Sequence, residues 1–416
     1  MNALSHVLPA VTDTMEDHQT ETSLEALREV HSIERQIAAE QVKVSALNSA
    51  IEMLETHKGP LLPFQLQMLD IVASTTGAQL GHQKAGIGLE AYSGPRASTM
   101  LTLTLEGFKE TFRKVIEWIM KLFRKLKSWV KKVFNGRKMQ LNQALSILDT
   151  PHRYSIRRPS EGGIEAIAGA LSIGDRFKPT EIVKNTRKVA QGLSSEAYVT
   201  SIKHYSDEVI AIVNTFLKET SDQEGNWRRH VDLVNKLDLP IPPTFEESFS
   251  QSTHAVYSSL PLIGGGTVSF IGVSKGNDQG AKGARARAQA LAGVRIGNQA
   301  ELKAATEAHE ERELLEDYRR SSYFKGDVSL VKELIRDATK MIDHGYHIEN
   351  VMDESDRAAT TFLKADVENL PTDVHAIVTN LIHSMGSIAQ TASKVIDDVA
   401  KVAISLAHSY IQISTL

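Results

Sequence analysis

Residues 106–134 read EGFKETFRKVIEWIMKLFRKLKSWVKKVF, and this stretch decides how the chain is understood. Phe108, Phe112, Val115, Ile116, Ile119, Leu122, Phe123, Leu126, Trp129, Val130 and Val133 recur at steps of three and four. That spacing puts them on one face of an α-helix. Lys109, Arg113, Lys114, Lys121, Arg124, Lys125, Lys127, Lys131 and Lys132 occupy much of the rest. Only Glu106, Glu110 and Glu117 oppose them, all in the first half. A helix over this stretch spans about 44 Å, and Asn135-Gly136 is read as its C-terminal stop.

Charge changes sign just before this helix. Up to Glu90 the chain has 12 acidic and 5 basic side chains, a net charge of −7; the remainder carries +3. The 416 residues, 41% hydrophobic and 24% charged, suit a globular protein of two or three units. The absence of cysteine excludes disulfides, thiolate zinc sites and a cysteine nucleophile. No apolar run reaches the ~20 residues of a membrane span, and the acidic start does not read as a secretory signal.

Outward from the basic helix, residues 1–22 have no period and read as disordered. A helix is expected from an N-cap at Ser23 to Gly59-Pro60, with a shorter one over Leu61–Val72. The two form either a helical hairpin or a self-associating coiled coil. Residues 74–100, rich in Gly, Ser and Ala, read as an exposed linker. Beyond the basic helix, Gln140–Leu148 is a short helix and Pro151–Gly163 a basic loop. Ile164–Ile173, Pro179–Leu193, Ser195–Lys218 and Trp227–Leu237 are further helices. After a proline break at Asp238–Phe245, Val256–Leu260 and Thr267–Val273 flank Gly264-Gly265-Gly266 as a β-hairpin. A lone hairpin is marginal, so it needs something to pack on. Lys275–Gly297 reads as mobile and Ala300–Asp317 as a charged helix. Ser329–His344, Glu354–Val367 and Thr372–Ile413 follow as helices, the last either continuous or broken near Gly386.

The fold class is therefore mainly α. An elongated helical-bundle body with a small hairpin follows a helical acidic leader and a long basic amphipathic helix. The expected divisions are 1–90 (leader), 91–138 (linker and basic helix), 139–237 (helical), 238–297 (Pro/Gly-rich with the hairpin) and 298–416 (helical).

No enzyme motif emerges. Lys275 and Lys282 do not complete a phosphate-binding loop, and Gly264-x-Gly266 precedes a strand where a dinucleotide fold needs a helix. His344 and His347, with Asp343 and Glu349, read as helix surface rather than metal ligands, and His309 lacks the second histidine of a zinc-protease helix. No Gly-x-Ser-x-Gly elbow is present. The chain is read as a non-enzyme without metal or cofactor. The basic helix remains: its cations suit nucleic-acid phosphates or lipid headgroups. Its Phe108, Phe112, Trp118, Phe123 and Trp129 suit a protein partner or the body of its own chain.

Acidic leader, Gly-rich linker and Lys/Trp/Phe-rich helix together resemble the internal head proteins of giant, phiKZ-like tailed bacteriophages. The resemblance implies an N-terminal propeptide removed by the phage head-maturation protease after Glu in a small-x-Glu pattern. Ser23-Leu24-Glu25 before Ala26 and Gly88-Leu89-Glu90 before Ala91 match it; Thr104-Leu105-Glu106 before Gly107 departs at the first position; Ser194-Ser195-Glu196 before Ala197 falls in a predicted helix. The charge reversal singles out Glu90. The resemblance further implies a virion structural protein, matured during assembly in the host cytoplasm. It would be packaged in the head with other virion proteins, meet DNA by non-specific phosphate contacts and be ejected with it. The alternative is a membrane-active protein working through residues 106–134.

Overall fold

The computed structural model describes residues 17–57, 59–93, 95–150, 167–173, 176–221, 229–250, 254–274, 280–296, 328–364 and 371–413. The expectations for residues 1–16, the Pro151–Gly163 loop, Trp227 and the Ala300–Asp317 helix lie outside them.

The fold is mainly α with a small antiparallel sheet, as the periodicity requires. Helix α1 (Asp17–Thr56) turns into α2 (Pro63–Thr76), and the two pack as a hairpin. Ser23 is therefore not an N-cap: α1 already includes Asp17, so 17–22 are helical. Helix α3 (Gly81–Ala85) and a 3₁₀ turn (Leu89–Tyr92) follow, and α4 runs from Ala97 to Asp149.

Two readings of this region are corrected. The 74–100 stretch is not a free linker, because Ala78, Leu80 and Tyr92 are buried and α3 packs on α4. Nor does α4 stop at Asn135-Gly136. Its 53 residues continue through Gln140–Leu148 as one helix of about 80 Å. After Phe134 the buried stripe resumes with Leu141, Ala144 and Leu148. On either side of the glycine, Tyr346 donates to Asn135 Oδ1 at 2.6 Å, and Arg137 and Lys138 pair with Asp397 and Asp343. Packing of this kind outweighs the roughly 1 kcal/mol that an internal glycine costs.

Beyond a two-stranded ribbon, β1 (Ser172–Ile173) and β2 (Arg176–Phe177), come α5 (Pro179–Leu193), α6 (Glu196–Ser221) and α7 (Val231–Asn235). The hairpin forms in register, Tyr257 opposite Phe270. Gly264 and Gly265 take the left-handed conformations its turn requires, φ 61° and 72°. It is the centre of a four-stranded antiparallel sheet: β3 (Phe245–Ser250), β4 (His254–Ser259), β5 (Ser269–Val273) and β6 (Arg295–Ile296). Between β5 and β6 the stretch read as mobile forms α8 (Gly280–Ala292). Ala284 and Ala288 are small enough on its buried face to let it lie close to the core, where Leu291 is also buried.

Helices α9 (Val328–Gly345), α10 (Ile348–Lys364) and α11 (Thr372–Ile413) complete the chain. Helix α11 is unbroken at Gly386 and nearly all of it is buried. Helices α1, α4, α5, α6, α8, α9 and α10 and strand β6 all pack on it. At Gly386 a Cβ would lie 2.5 Å from the Phe123 ring, so glycine sets the α4–α11 approach.

Candidate processing loop and basic face

Residues 81–92 are pinned to α4 through one buried hydroxyl. Thr104, fully buried, donates to the Met100 carbonyl at 2.7 Å, accepts from the Gly81 N–H at 2.7 Å, and is 2.6 Å from the Tyr92 hydroxyl. His82 lies edge-on to Tyr92, ring centroids 5.8 Å apart. Gly81 and Tyr92 are thus fixed to the same side chain, while Gln83–Gly86 and Gly88, Leu89 and Glu90 between them are exposed. The Glu90–Ala91 bond lies in the 3₁₀ turn Leu89–Tyr92, which belongs to no α-helix; Leu89 and Glu90 are exposed, Ala91 is half-buried and Tyr92 is buried.

The other small-x-Glu matches lie differently. Glu25–Ala26 is inside α1, and Glu106–Gly107 is inside α4 with Gly107 buried beneath the Gln79 carbonyl. Glu196–Ala197 opens α6. A protease must draw several residues out of their hydrogen-bonded helical ladder to cut at any of these three.

The basic helix is largely answered within its own chain. Helix α10 runs antiparallel to α4 and meets its cations in step. Arg124 pairs with Asp356 at 2.7 Å, Lys127 with Asp353 at 2.5 Å and Lys131 with Glu349 at 3.9 Å. Lys138–Asp343 at 2.6 Å extends the row onto α9. Lys109 pairs with Glu55 of α1 at 2.8 Å, and Lys114 and Arg113 with Glu110 and Glu117 of the same helix at 2.7 and 3.5 Å. Lys121, Lys125 and Lys132 are exposed and have no ion-pair partner among the described residues. Steps of four and seven place them in one strip, with Trp118, 42% exposed, three residues before Lys121.

The aromatic residues divide in the same way. Phe108, Phe112, Phe123 and Trp129 are buried, so of the two readings of the apolar face, partner or own body, the fold selects the body for these four. Phe112 touches His375 and Phe123 touches His383 of α11, ring centroids 4.5 and 5.6 Å apart. Trp118 alone of the five faces outward. The face that a membrane reading needs is therefore occupied by the chain's own helices. No helix among the described residues is long and apolar enough to cross a membrane.

Three parts of this arrangement escape a first reading of the sequence. Thr104 and Tyr92 carry no motif. The acidic row does carry a signal: Glu349, Asp353 and Asp356 are spaced four and three, the mirror of Arg124, Lys127 and Lys131 at three and four. His344 and His347 stack edge to face, 6.3 Å apart, and the adjacent Asp343 is taken by Lys138.

The chain belongs to the phiKZ-like phage internal head proteins, whose family model matches residues 12–414. It is thus a structural component of the interior of a phage head, among other virion proteins. No curated protein and no solved structure matches it.

Proposed function

We propose that this internal head protein is cut between Glu90 and Ala91 by the phage head-maturation protease during head assembly. The body then meets the packaged DNA through the strip Lys121, Lys125 and Lys132. The observation that carries the reading is the contrast between the matching sites. Glu90–Ala91 lies in a 3₁₀ turn whose Leu89 and Glu90 are exposed, next to the −7 to +3 charge boundary, whereas Glu25, Glu106 and Glu196 lie in α-helices. Free lysines without acidic partners give sequence-independent phosphate contact, which suits a component packed against DNA. Trp118 supplies a flat apolar surface beside them.

Co-expression of the chain with the phage's protease tests the cut. The expected product begins at Ala91, and Glu90→Gln abolishes it. A product that begins at Ala26 or Gly107, or persists in Glu90→Gln, contradicts the proposal.

A further inference from the structure

We infer that the cut at Glu90–Ala91 does not release the leader: residues up to Glu90 stay seated on the body as a separate polypeptide. The inference rests on the processing site proposed above. Hydrolysis adds one water across the Glu90–Ala91 amide, leaving a carboxylate on Glu90 and an ammonium on Ala91. Glu90 is exposed and Ala91 half-buried, so both new charges form at the surface of the turn. Of the residues next to the bond, Tyr92 belongs to the docked interface, and once the cut is made its contact with Thr104 can re-form.

What holds the leader lies elsewhere. The Thr104 hydroxyl binds the leader side of the cut at Gly81, nine residues before Glu90, and the body side at Tyr92, next to Ala91, so both sides of the cut stay tied to one side chain. Helix α1 packs along α4 and reaches α11, with Ile37, Val44, Leu47, Ile51 and Leu54 buried. Glu55 pairs with Lys109 on α4, and Glu52 pairs with Arg285 on α8. Gly107 of α4 has no side chain because the Gln79 carbonyl lies where its Cβ would be. This is an interface between two parts of one chain with the burial of a core. The leader thereby covers a long stretch of the apolar face of α4 that a released body would expose. Loss of the leader from a particle requires a second event, a further cut or unfolding.

The test uses the full chain with a recognition sequence for a site-specific foreign protease inserted at the exposed residues Gly88, Leu89 and Glu90. After complete cutting, verified on a denaturing gel, the two fragments are expected to elute together in native buffer at the intact mass of 45.8 kDa. They should remain together on hundredfold dilution. A leader fragment that elutes alone overturns the inference. As a second arm, Gly107→Val lifts Gln79 off α4: the uncut variant should keep its helical circular dichroism, and the cut variant should lose its leader at least tenfold more readily. Equal retention in the two cut proteins contradicts the contacts assigned here, as does an uncut variant that has already lost its helical signal. Because a foreign protease makes the cut, the outcome is independent of the phage enzyme's choice of Glu90. A virion chain without an Ala91 terminus would remove the processing reading and leave this measurement intact.

Discussion

The Arg124 guanidinium donates from Nη2 to Asp356 Oδ1 at 2.7 Å and from Nε to both carboxylate oxygens at 3.0 Å. These residues are 232 positions apart in the chain. The pair starts a row in which the steps of three and four from Arg124 to Lys127 and Lys131 along α4 are matched by the same steps back from Asp356 to Asp353 and Glu349 along α10, and Lys138–Asp343 continues it onto α9. The row fixes the register of two antiparallel helices and neutralises the basic face from within.

The row should behave as a set of exposed ion pairs. Arg124 is 59% exposed, so solvent screening keeps the pair small. Arg124→Ala and Asp356→Ala together should show a coupling of about 0.5–1 kcal/mol in urea unfolding, shrinking at high salt. The swap Arg124→Asp with Asp356→Arg should recover most of the loss seen with either reversal alone. No coupling at low salt would contradict the register described.

Stability should fall as pH drops from about 6.5 to about 4. Burial, with a smaller push from Lys109, lowers His375 to about 4, and burial lowers His383 to about 4. In the unfolded chain both return to about 6.5. Between these values the unfolded state binds more protons, so the contribution is complete above 6.5 and lost on acidification. The linkage is worth about 3 kcal/mol for each histidine. Asp397 does not share this window. Burial acts to raise its pKa, but Lys401 and Arg137 outweigh burial and hold it below the usual carboxylate range. Urea midpoints at several pH values should therefore show a slope that His375→Gln/His383→Gln flattens. A wild-type midpoint constant from pH 7 to 4.5 would refute this.

Gly386→Ala should destabilise despite removing a glycine from a helix. The new Cβ meets Phe123 at 2.5 Å. Overpacking costs about 1–3 kcal/mol, against about 1 kcal/mol gained in helix propensity. Phe123→Leu, which empties that space, should make Gly386→Ala neutral or favourable. A stabilised single variant would show that α4 and α11 do not approach as described.

Duplex DNA binding should depend on the free lysines and not on the paired ones. Lys121→Ala/Lys125→Ala/Lys132→Ala should weaken binding regardless of DNA sequence and reduce the salt slope by about 2–3. Lys127→Ala, which removes a cation already held by Asp353, should change the slope far less. Equal losses from both would count against the strip.

Much of the fold is legible in the sequence because period and burial coincide. Phe108, Phe112, Ile116, Ile119, Phe123, Leu126 and Val130 fall on the buried face that their spacing requires, and the Gly264–Gly266 turn joins the strands expected. What is not legible depends on long-range contacts. Asn135-Gly136 looks like a helix end because local chemistry cannot reveal Asp343, Tyr346 and Asp397 waiting on either side. The glycines at 81 and 107 look like loop and cleavage-site residues, yet their role is close backbone approach. The basic helix looks free because its acidic complement lies more than 200 residues away. Of the nine cations on this stretch, that complement, Glu55 of α1 and local glutamates leave only Lys121, Lys125 and Lys132 without ion-pair partners among the described residues.

Maturation at Glu90–Ala91, as proposed above, can be read directly from the virion. The most direct measurement is peptide mapping of purified particles with chemical labelling of native N-termini before digestion. A labelled terminus at Ala91 is expected, with little or no peptide spanning residues 85–95, whether or not leader peptides are also recovered. An abundant spanning peptide, or a labelled terminus at Ala26 or Gly107 in place of Ala91, would contradict it.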